Sequence, residues 1–131
     1  ISEYLARLPP LPVVLPPGTA VAWHSACSLH HGQQVKATPP ALLAAAGFDV
    51  RLPAEAHLCC GSAGSYAILQ PDMSATLKAR KQAALAATGA TLVASSNIGC
   101  LQQIAGDALT TVHLVELLDW ASGGPKPAGV R

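Results

Sequence analysis

Four cysteines are the residues of this chain whose type and spacing best suit chemistry. Cys59 and Cys60 are adjacent and are followed at once by Gly61, whereas Cys27 and Cys100 lie far away on either side. Thiolates are soft ligands that suit iron–sulfur clusters and zinc. Glycine lets the backbone turn tightly, so that amide groups can approach the sulfur atoms. The pattern predicts that the fold gathers all four thiols at one iron–sulfur site.

Packing is the main alternative for these cysteines. A lone cysteine such as Cys27 or Cys100 more often fills a protein core than binds a metal. The adjacent pair is different, because successive side chains of a regular strand point to opposite faces and cannot share one core. The pair therefore needs a turn, which Gly61 can supply. No secretory signal and no paired C-x-x-C of a zinc ribbon is visible, which favours thiols over structural disulfides.

Histidines are weaker candidates. His24 lies at the end of the first predicted strand and could bind a metal or orient a thiolate, although a hydrogen-bonded core histidine is at least as good an explanation. His113 is expected at the same edge of the sheet, and His30, His31 and His57 rank below these two. A hydrolase with a histidine-activated thiol would leave the second adjacent cysteine unexplained. The chain contains no Walker loop and no dinucleotide-binding glycine motif.

Composition and charge exclude several functions. The 131 residues include 8 basic and 7 acidic residues, which gives a net charge of +1. This balance does not provide the excess of basic residues that nucleic-acid binding requires. No segment approaches the ~18 apolar residues that a membrane-spanning helix needs. Charged residues make up only 11% of the chain, which indicates that a partner or the rest of a longer chain covers part of the surface.

The elements that must position the cysteines alternate along the chain. Apolar strands are predicted at 20–24, 48–52, 91–95 and 111–114, and helices at 39–46, 71–88, 98–105 and 115–120. This order predicts an α/β fold with three layers: an open, mostly parallel, Rossmann-like sheet of about four strands with helices on both faces. Such sheets bind ligands beyond the carboxyl ends of their strands, where each of the first three strands is followed by cysteine. In the longest helix, Lys78, Arg80 and Lys81 are expected to reach water.

The domain organisation is interpreted from proline and glycine content. Residues 1–19 are expected to be the end of a preceding segment and a proline-rich linker, since the chain looks like a fragment of a longer protein. Residues 20–121 are expected to form the domain, and residues 122–131 a flexible tail. Within the domain, residues 28–36 are expected to form a polar loop.

The cysteine spacing resembles that of the cysteine-rich CCG domain, known from heterodisulfide reductases. In that family a cysteine, a long spacer, C-C-G and a second long spacer precede a C-x-x-C. The first cysteine of this last pair falls on Asn97 in this chain, and the second falls on Cys100. Five-cysteine versions are associated with non-cubane clusters, so the four cysteines here fit a [4Fe–4S] cluster or a single metal ion better.

Shorter phrases are similar to the second such domain in iron–sulfur subunits of bacterial glycolate oxidases. These phrases are His24-Ser25-Ala26-Cys27, His31-Gly32-Gln33 and the segments 59–66, 97–100 and 112–118. Ser25 and Ala26 replace an Asp-Pro that is usual in the wider family. The resemblance implies a cluster held by Cys27, Cys59, Cys60 and Cys100, with Gly61 and His24 beside it.

The resemblance also implies a function and partners. The domain would relay electrons from a flavin-containing subunit, which oxidises glycolate to glyoxylate, toward a membrane quinone pool. The complex would be a 2-hydroxy-acid oxidoreductase, and this domain alone is not expected to be catalytic. A cytoplasmic location is implied, with peripheral association at the inner face of the bacterial membrane through the complex. The alternative is a zinc-binding or metal-free docking module between subunits, and a redox-thiol enzyme is a third hypothesis.

Overall fold

The computed structural model describes residues 1–14 and 18–131. Its helices are α1 (Ser2–Leu5), α2 (Thr38–Ala45), α3 (Tyr66–Leu69), α4 (Pro71–Ala86), α5 (Ile98–Ile104) and α6 (Leu114–Ala121), and its strands are β1 (Ala20–Trp23), β2 (Asp49–Arg51), β3 (Leu92–Ser95) and β4 (Thr110–His113). The predicted polar loop after β1 contains a π-helical turn, Ser28–Gly32. The amide of Gln33 donates to the carbonyl of Ser28 there, which is the five-residue spacing of a π-helix.

All four strands are parallel and their order is β2–β1–β3–β4. The chain runs outward from β1 to β2, and then returns to the other side of β1 to form β3 and β4. The strand order therefore reverses between β1 and β3, and the carboxyl end of such a switch point is where open α/β sheets bind ligands. The predicted open, parallel, Rossmann-like sheet is confirmed.

Helices cover both faces of this sheet, because side chains of its central strands alternate between two cores. Val21 and Trp23 of β1 pack with residues of α2 and α6, whereas Ala22 faces the opposite core. That second core joins Ala22 and Val93 to residues of α4 and α5, and Cys60 and Cys100 belong to it. The cysteine site is thus a continuation of one of the two cores.

The helices start at residues that suit helix ends. Prolines occupy the first positions of α2 and α4, where no intrahelical amide bond is lost. Asn97 caps α5, and His113 forms a capping box with Glu116 at the start of α6. These caps place β3 and β4 directly against the helices that follow them.

The predicted domain limits stay predictions. Within the interpreted linker, residues 15–17 lie outside the described residues. In the tail, Thr110 Oγ1 donates to the carbonyl of Gly129, and Lys126 Nζ lies 5.7 Å from the centre of the Trp120 ring. Among the helices of residues 1–14 and 18–131, none has both the length and the apolar character required to span a membrane.

Candidate metal centre

Parallel strands bring the cysteines to one edge of the sheet, as their positions in the sequence predicted. Cys27 follows β1, the pair Cys59 and Cys60 follows β2, and Cys100 lies in the first turn of α5 after β3. All four are free thiols. The segments that carry them start at three neighbouring strands, so their side chains can converge at the carboxyl ends.

Three buried groups form the tightest part of this site. One ring nitrogen of His24 and the Sγ atoms of Cys60 and Cys100 all lie within 4.8 Å of one another. His24 is fully buried, and Cys60 and Cys100 are 1% and 5% exposed. Two thiols and an imidazole at this separation are a donor set that suits a metal such as zinc or iron.

Cys27 and Cys59 lie beside this group of three and are partly exposed. Burial raises the pKa of Cys27 to about 11, and the charge and hydrogen bonding of Cys59 and the charge of Cys60 add to that increase. The pKa of Cys100 lies far above its ordinary value because of its hydrogen bond with Cys60, its burial and the charges of Cys60, Cys27 and Cys59. Cys59 and Cys60 therefore lie close enough to raise the pKa values of both Cys27 and Cys100.

Cys60 ionises more readily than an ordinary thiol. Hydrogen bonding with Cys100 lowers the pKa of Cys60 to about 3, against the opposing effect of burial. The nearby His24 ring and a hydrogen bond with Ser62 also lower it, and the Cys60 Sγ and Ser62 Oγ atoms are 3.4 Å apart. Cys60 is thus a thiolate in a buried place at neutral pH.

Buried polar atoms without hydrogen-bond partners, among the described residues, lie at the same site as Cys60 and Cys100. Neither ring nitrogen of His24, nor the hydroxyl of Ser95, has a hydrogen-bond partner within the described part of the chain. Trp23 of β1 pairs with Ala94 of β3, so His24 and Ser95 are the next residues in register and face the cysteine side. An unsatisfied buried polar group costs about 1–3 kcal/mol, and a bound metal would provide a partner for one of the two His24 nitrogens.

The turn after the cysteine pair depends on Gly61. Its φ of +89° is a conformation that other residues rarely adopt, and its amide donates to Cys59 Sγ at 3.3 Å. The predicted approach of a backbone amide to a sulfur atom is confirmed at this glycine. Ser74 of α4 donates from Oγ to the Gly61 carbonyl at 2.8 Å, so that the turn is attached to the helix.

Asn97 occupies the position of the family's additional cysteine, and its side chain caps a helix. Asn97 Oδ1 accepts a hydrogen bond from the amide of Cys100 at 3.1 Å. This bond satisfies a free amide at the start of α5 and positions the Cys100 side chain. The remaining histidines are engaged elsewhere: His113 Nδ1 accepts from the amide of Val115, His30 Nδ1 lies 3.1 Å from Ser25 Oγ, and His31 Nε2 lies 3.4 Å from the His57 carbonyl.

Lys81 is a residue of this site that the sequence interpretation missed. It was expected to reach water, but it is 1% exposed, and the expectation is wrong. Its Nζ atom donates to the carbonyl of Glu55 at 2.9 Å, in the segment that leads to the cysteine pair. Leu77, Lys81 and Leu85 are spaced four residues apart and share one face of α4. That spacing was visible in the sequence and could have indicated the burial of Lys81.

Comparisons with known proteins show the family of this chain. A family model described as a cysteine-rich domain, CCG, matches residues 21–105, which include all four cysteines. The chain is 34% identical over 102 residues to the "Glycolate oxidase iron-sulfur subunit" of Escherichia coli (strain K12). It is 33% identical over 112 residues to the "Probable glycolate oxidase iron-sulfur subunit" of Bacillus subtilis (strain 168).

These alignments span 77% and 79% of this chain but only 25% of either relative. The chain therefore corresponds to about a quarter of those proteins. A "Lactate utilization protein A" of Oceanobacillus iheyensis is 30% identical over 107 residues, which are 76% of this chain and 43% of that protein. The similarity thus extends to proteins named for two different 2-hydroxy acids.

Proposed function

Because the chain belongs to the cysteine-rich CCG domain family, we propose that it is an iron–sulfur electron-transfer domain of a glycolate-oxidising complex. The observation that carries the proposal is the convergence of Cys60 and Cys100, from two separate segments, on the unpartnered imidazole of His24. This donor set suits a soft metal centre. Cys27, Cys59, Cys60 and Cys100 would hold an iron–sulfur cluster, a [4Fe–4S] cluster by their number, with His24 and Gly61 beside it.

The residues present fit such a group. The orphaned nitrogens of His24 and the sulfur atoms face the same place, and the core around Cys60 and Cys100 excludes water. When bound, a cluster would accept and release single electrons. The amide of Gly61 would keep its hydrogen bond to the Cys59 sulfur, and such bonds favour the added negative charge of a reduced cluster.

The partners are proposed from the relatives' names and the family resemblance. Electrons would come from a flavin-containing subunit of the complex and continue toward quinone, with the rest of a longer chain completing the path. Glycolate is the first choice of substrate because two relatives are glycolate oxidase subunits, and lactate is the second because others are lactate utilization proteins. Mixing the full complex with either acid and following the reduction of the cluster would distinguish them.

Metal analysis of the reduced protein tests the proposal. After anaerobic reconstitution we expect stoichiometric iron and sulfide, and a loss of both in Cys60→Ser, because the buried thiolate is replaced by a poor ligand. Ala94→Ser is the matched control, because it also places a serine hydroxyl at a buried position. Ala94 of β3 belongs to the core on the face of the sheet that is opposite to the cysteines. The control should retain the iron and sulfide content of the original protein.

The same analysis decides the alternative functions. Stoichiometric zinc without iron would support the docking module that binds zinc between subunits, and it would contradict the electron-transfer proposal. A reduced protein that binds neither metal would leave the metal-free docking module or a redox-thiol enzyme. Much faster alkylation of one cysteine at neutral pH would then favour the redox-thiol enzyme.

A further inference from the structure

Lys81 is a buried cation that the proposed cluster ligands do not account for. Its side chain is 1% exposed and is the largest fully buried side chain among the described residues. Burying an ammonium group without a compensating negative charge costs on the order of several kcal/mol of folding free energy. Fully buried lysines are rare for this reason. Its hydrogen bond to the neutral carbonyl of Glu55 does not supply that charge.

The face of α4 that carries Lys81 covers the cysteine turn. Ser74, Lys81 and Leu85 are the buried residues of α4. Ser74 binds the Gly61 carbonyl, and Leu85 packs in the core that contains Cys60 and Cys100. Lys81 lies between these two contacts on the same face, so its side chain is on the side of α4 that covers the cysteine turn.

The charges around Lys81 come mainly from those thiols. Burial lowers the pKa of Lys81, and the opposing effects come from Cys27, Cys60, Cys59 and Glu55, in that order. The Glu55 carboxylate is engaged by Arg80, the neighbouring residue on α4. The cysteine thiolates are therefore the nearby negative groups that favour the charged form of Lys81 most.

We propose that Lys81 is a buried counter-charge that stabilises the negative charge of the four-thiol centre and raises the reduction potential of the group bound there. This inference rests on the proposed function. A site with three or more thiolates around a cluster or a divalent metal carries net negative charge, and reduction adds one more. A fixed cation nearby favours both binding and reduction, because it is attracted to each added negative charge.

Redox titration of the reconstituted protein tests this role. Lys81→Met removes the charge and the hydrogen bond, whereas Lys81→Gln removes the charge and keeps a donor for the Glu55 carbonyl. We expect both variants to shift the midpoint potential of the cluster to more negative values. Lys78→Met, which removes a charge from the same helix at a partly exposed position, should leave the potential unchanged.

Two outcomes would overturn the proposal. An unchanged potential in both Lys81 variants would show that the charge does not act on the cluster. A potential restored in Lys81→Gln but not in Lys81→Met would show that Lys81 acts only by holding the Glu55 segment. Failure of the original protein to bind iron would instead refute the proposed function, and with it this inference.

Cobalt binding covers the case in which the variants do not retain a cluster. Titration of the reduced, metal-free proteins with Co²⁺ gives an affinity from the thiolate-to-metal absorption band. Loss of one nearby charge should weaken the binding roughly tenfold in both Lys81 variants and not in Lys78→Met. Equal affinities in all four proteins would contradict the proposal.

Discussion

At the scale of single residues, the four thiols differ in what they contribute. Cys60 has a pKa lowered to about 3, whereas that of Cys27 is raised to about 11. Charge on one thiol opposes ionisation of the next, so a metal-free site holds protons on some of its cysteines. Binding of a positive metal releases these protons, because thiolates are the ligands.

The first prediction concerns pH. Cys27 and Cys100 have raised pKa values, so both are protonated at neutral pH and lose their protons only when a metal binds. Protons compete with the metal, and the apparent affinity must therefore rise with pH. We expect the logarithm of the Co²⁺ affinity to increase by at least about 2 per pH unit between about pH 6 and 8, one for each of these two thiols. A pH-independent affinity in that range would contradict the predicted ligand set.

The second prediction concerns His24, whose two ring nitrogens lack partners. His24→Leu replaces it with an apolar residue of similar size. We expect the free energy of unfolding of the metal-free protein to rise by about 1–3 kcal/mol, since an unsatisfied buried group is removed. The metal affinity should fall if the imidazole is a ligand. Urea unfolding and Co²⁺ titration measure the two effects.

Ser95→Ala is the matched control for His24, because it removes the other orphaned group on the same face. It should stabilise the metal-free protein and leave the metal affinity unchanged. Destabilisation of the metal-free protein by His24→Leu would show that the imidazole has a partner, such as Cys60, that the hydrogen-bond geometry does not reveal.

At the scale of elements, α4 holds the segment that carries the cysteine pair. Ser74 binds Gly61, Lys81 binds the Glu55 carbonyl and Arg80 pairs with the Glu55 carboxylate. Glu55 itself has a φ of +55°, an uncommon conformation for a residue with a side chain. Contacts from one helix thus support two unusual backbone positions on either side of the cysteines.

The third prediction follows from this contact. A Cβ atom at Gly61 would lie 2.6 Å from the carbonyl oxygen of Ser74, and φ is +89°. Gly61→Ala should therefore lower the free energy of unfolding by more than the roughly 1–2 kcal/mol of backbone strain alone, and should reduce metal content. Urea unfolding and metal analysis would show both changes.

Gly64→Ala is the matched control for Gly61. Gly64 also has a positive φ, of +56°, but a Cβ atom there would meet nothing within 4 Å. We expect Gly64→Ala to lower the free energy of unfolding by the backbone strain alone and to leave the metal content normal. Equal effects of the two substitutions would mean that the close approach of α4 to the turn does not matter.

At the scale of the whole molecule, the site joins three parts of the sheet. The segments that follow β1, β2 and β3 each bring at least one thiol to the point where the strand order reverses. A metal group held by all of them would link the carboxyl ends of three adjacent strands. Its binding energy would then contribute to the stability of the entire fold, because the unfolded chain has no such site.

The fourth prediction is that metal removal destabilises the whole domain. The metal-loaded protein should unfold in one transition, and removal of the metal under reducing conditions should lower its Tm in far-ultraviolet circular dichroism. Addition of Zn²⁺ to the metal-free protein should raise the Tm with metal concentration. A Tm that is the same with and without metal would argue that the thiols do not share one bound group.

Much of the fold and the general place of the site could be predicted from the sequence. Alternating apolar segments and helices indicated the parallel sheet. Because parallel strands all end at one edge, residues that follow successive strands, such as Cys27, Cys59 and Cys100, had to approach that edge. The requirement for a turn at Gly61 also followed from local chemistry, since two adjacent side chains cannot face one core from a regular strand.

Other features were decided only by the tertiary structure. The spacing of Leu77, Lys81 and Leu85 could indicate that Lys81 lies on a buried face of its helix. The segment that this face covers, the cysteine turn about twenty residues earlier, is decided by how α4 packs, and local periodicity does not report that contact. The lack of hydrogen-bond partners for His24 and Ser95, within the described residues, likewise depends on which segments of other strands surround them. Local patterns determine which elements form and where they end, whereas the surroundings of a buried polar group depend on distant segments that meet only when the chain folds.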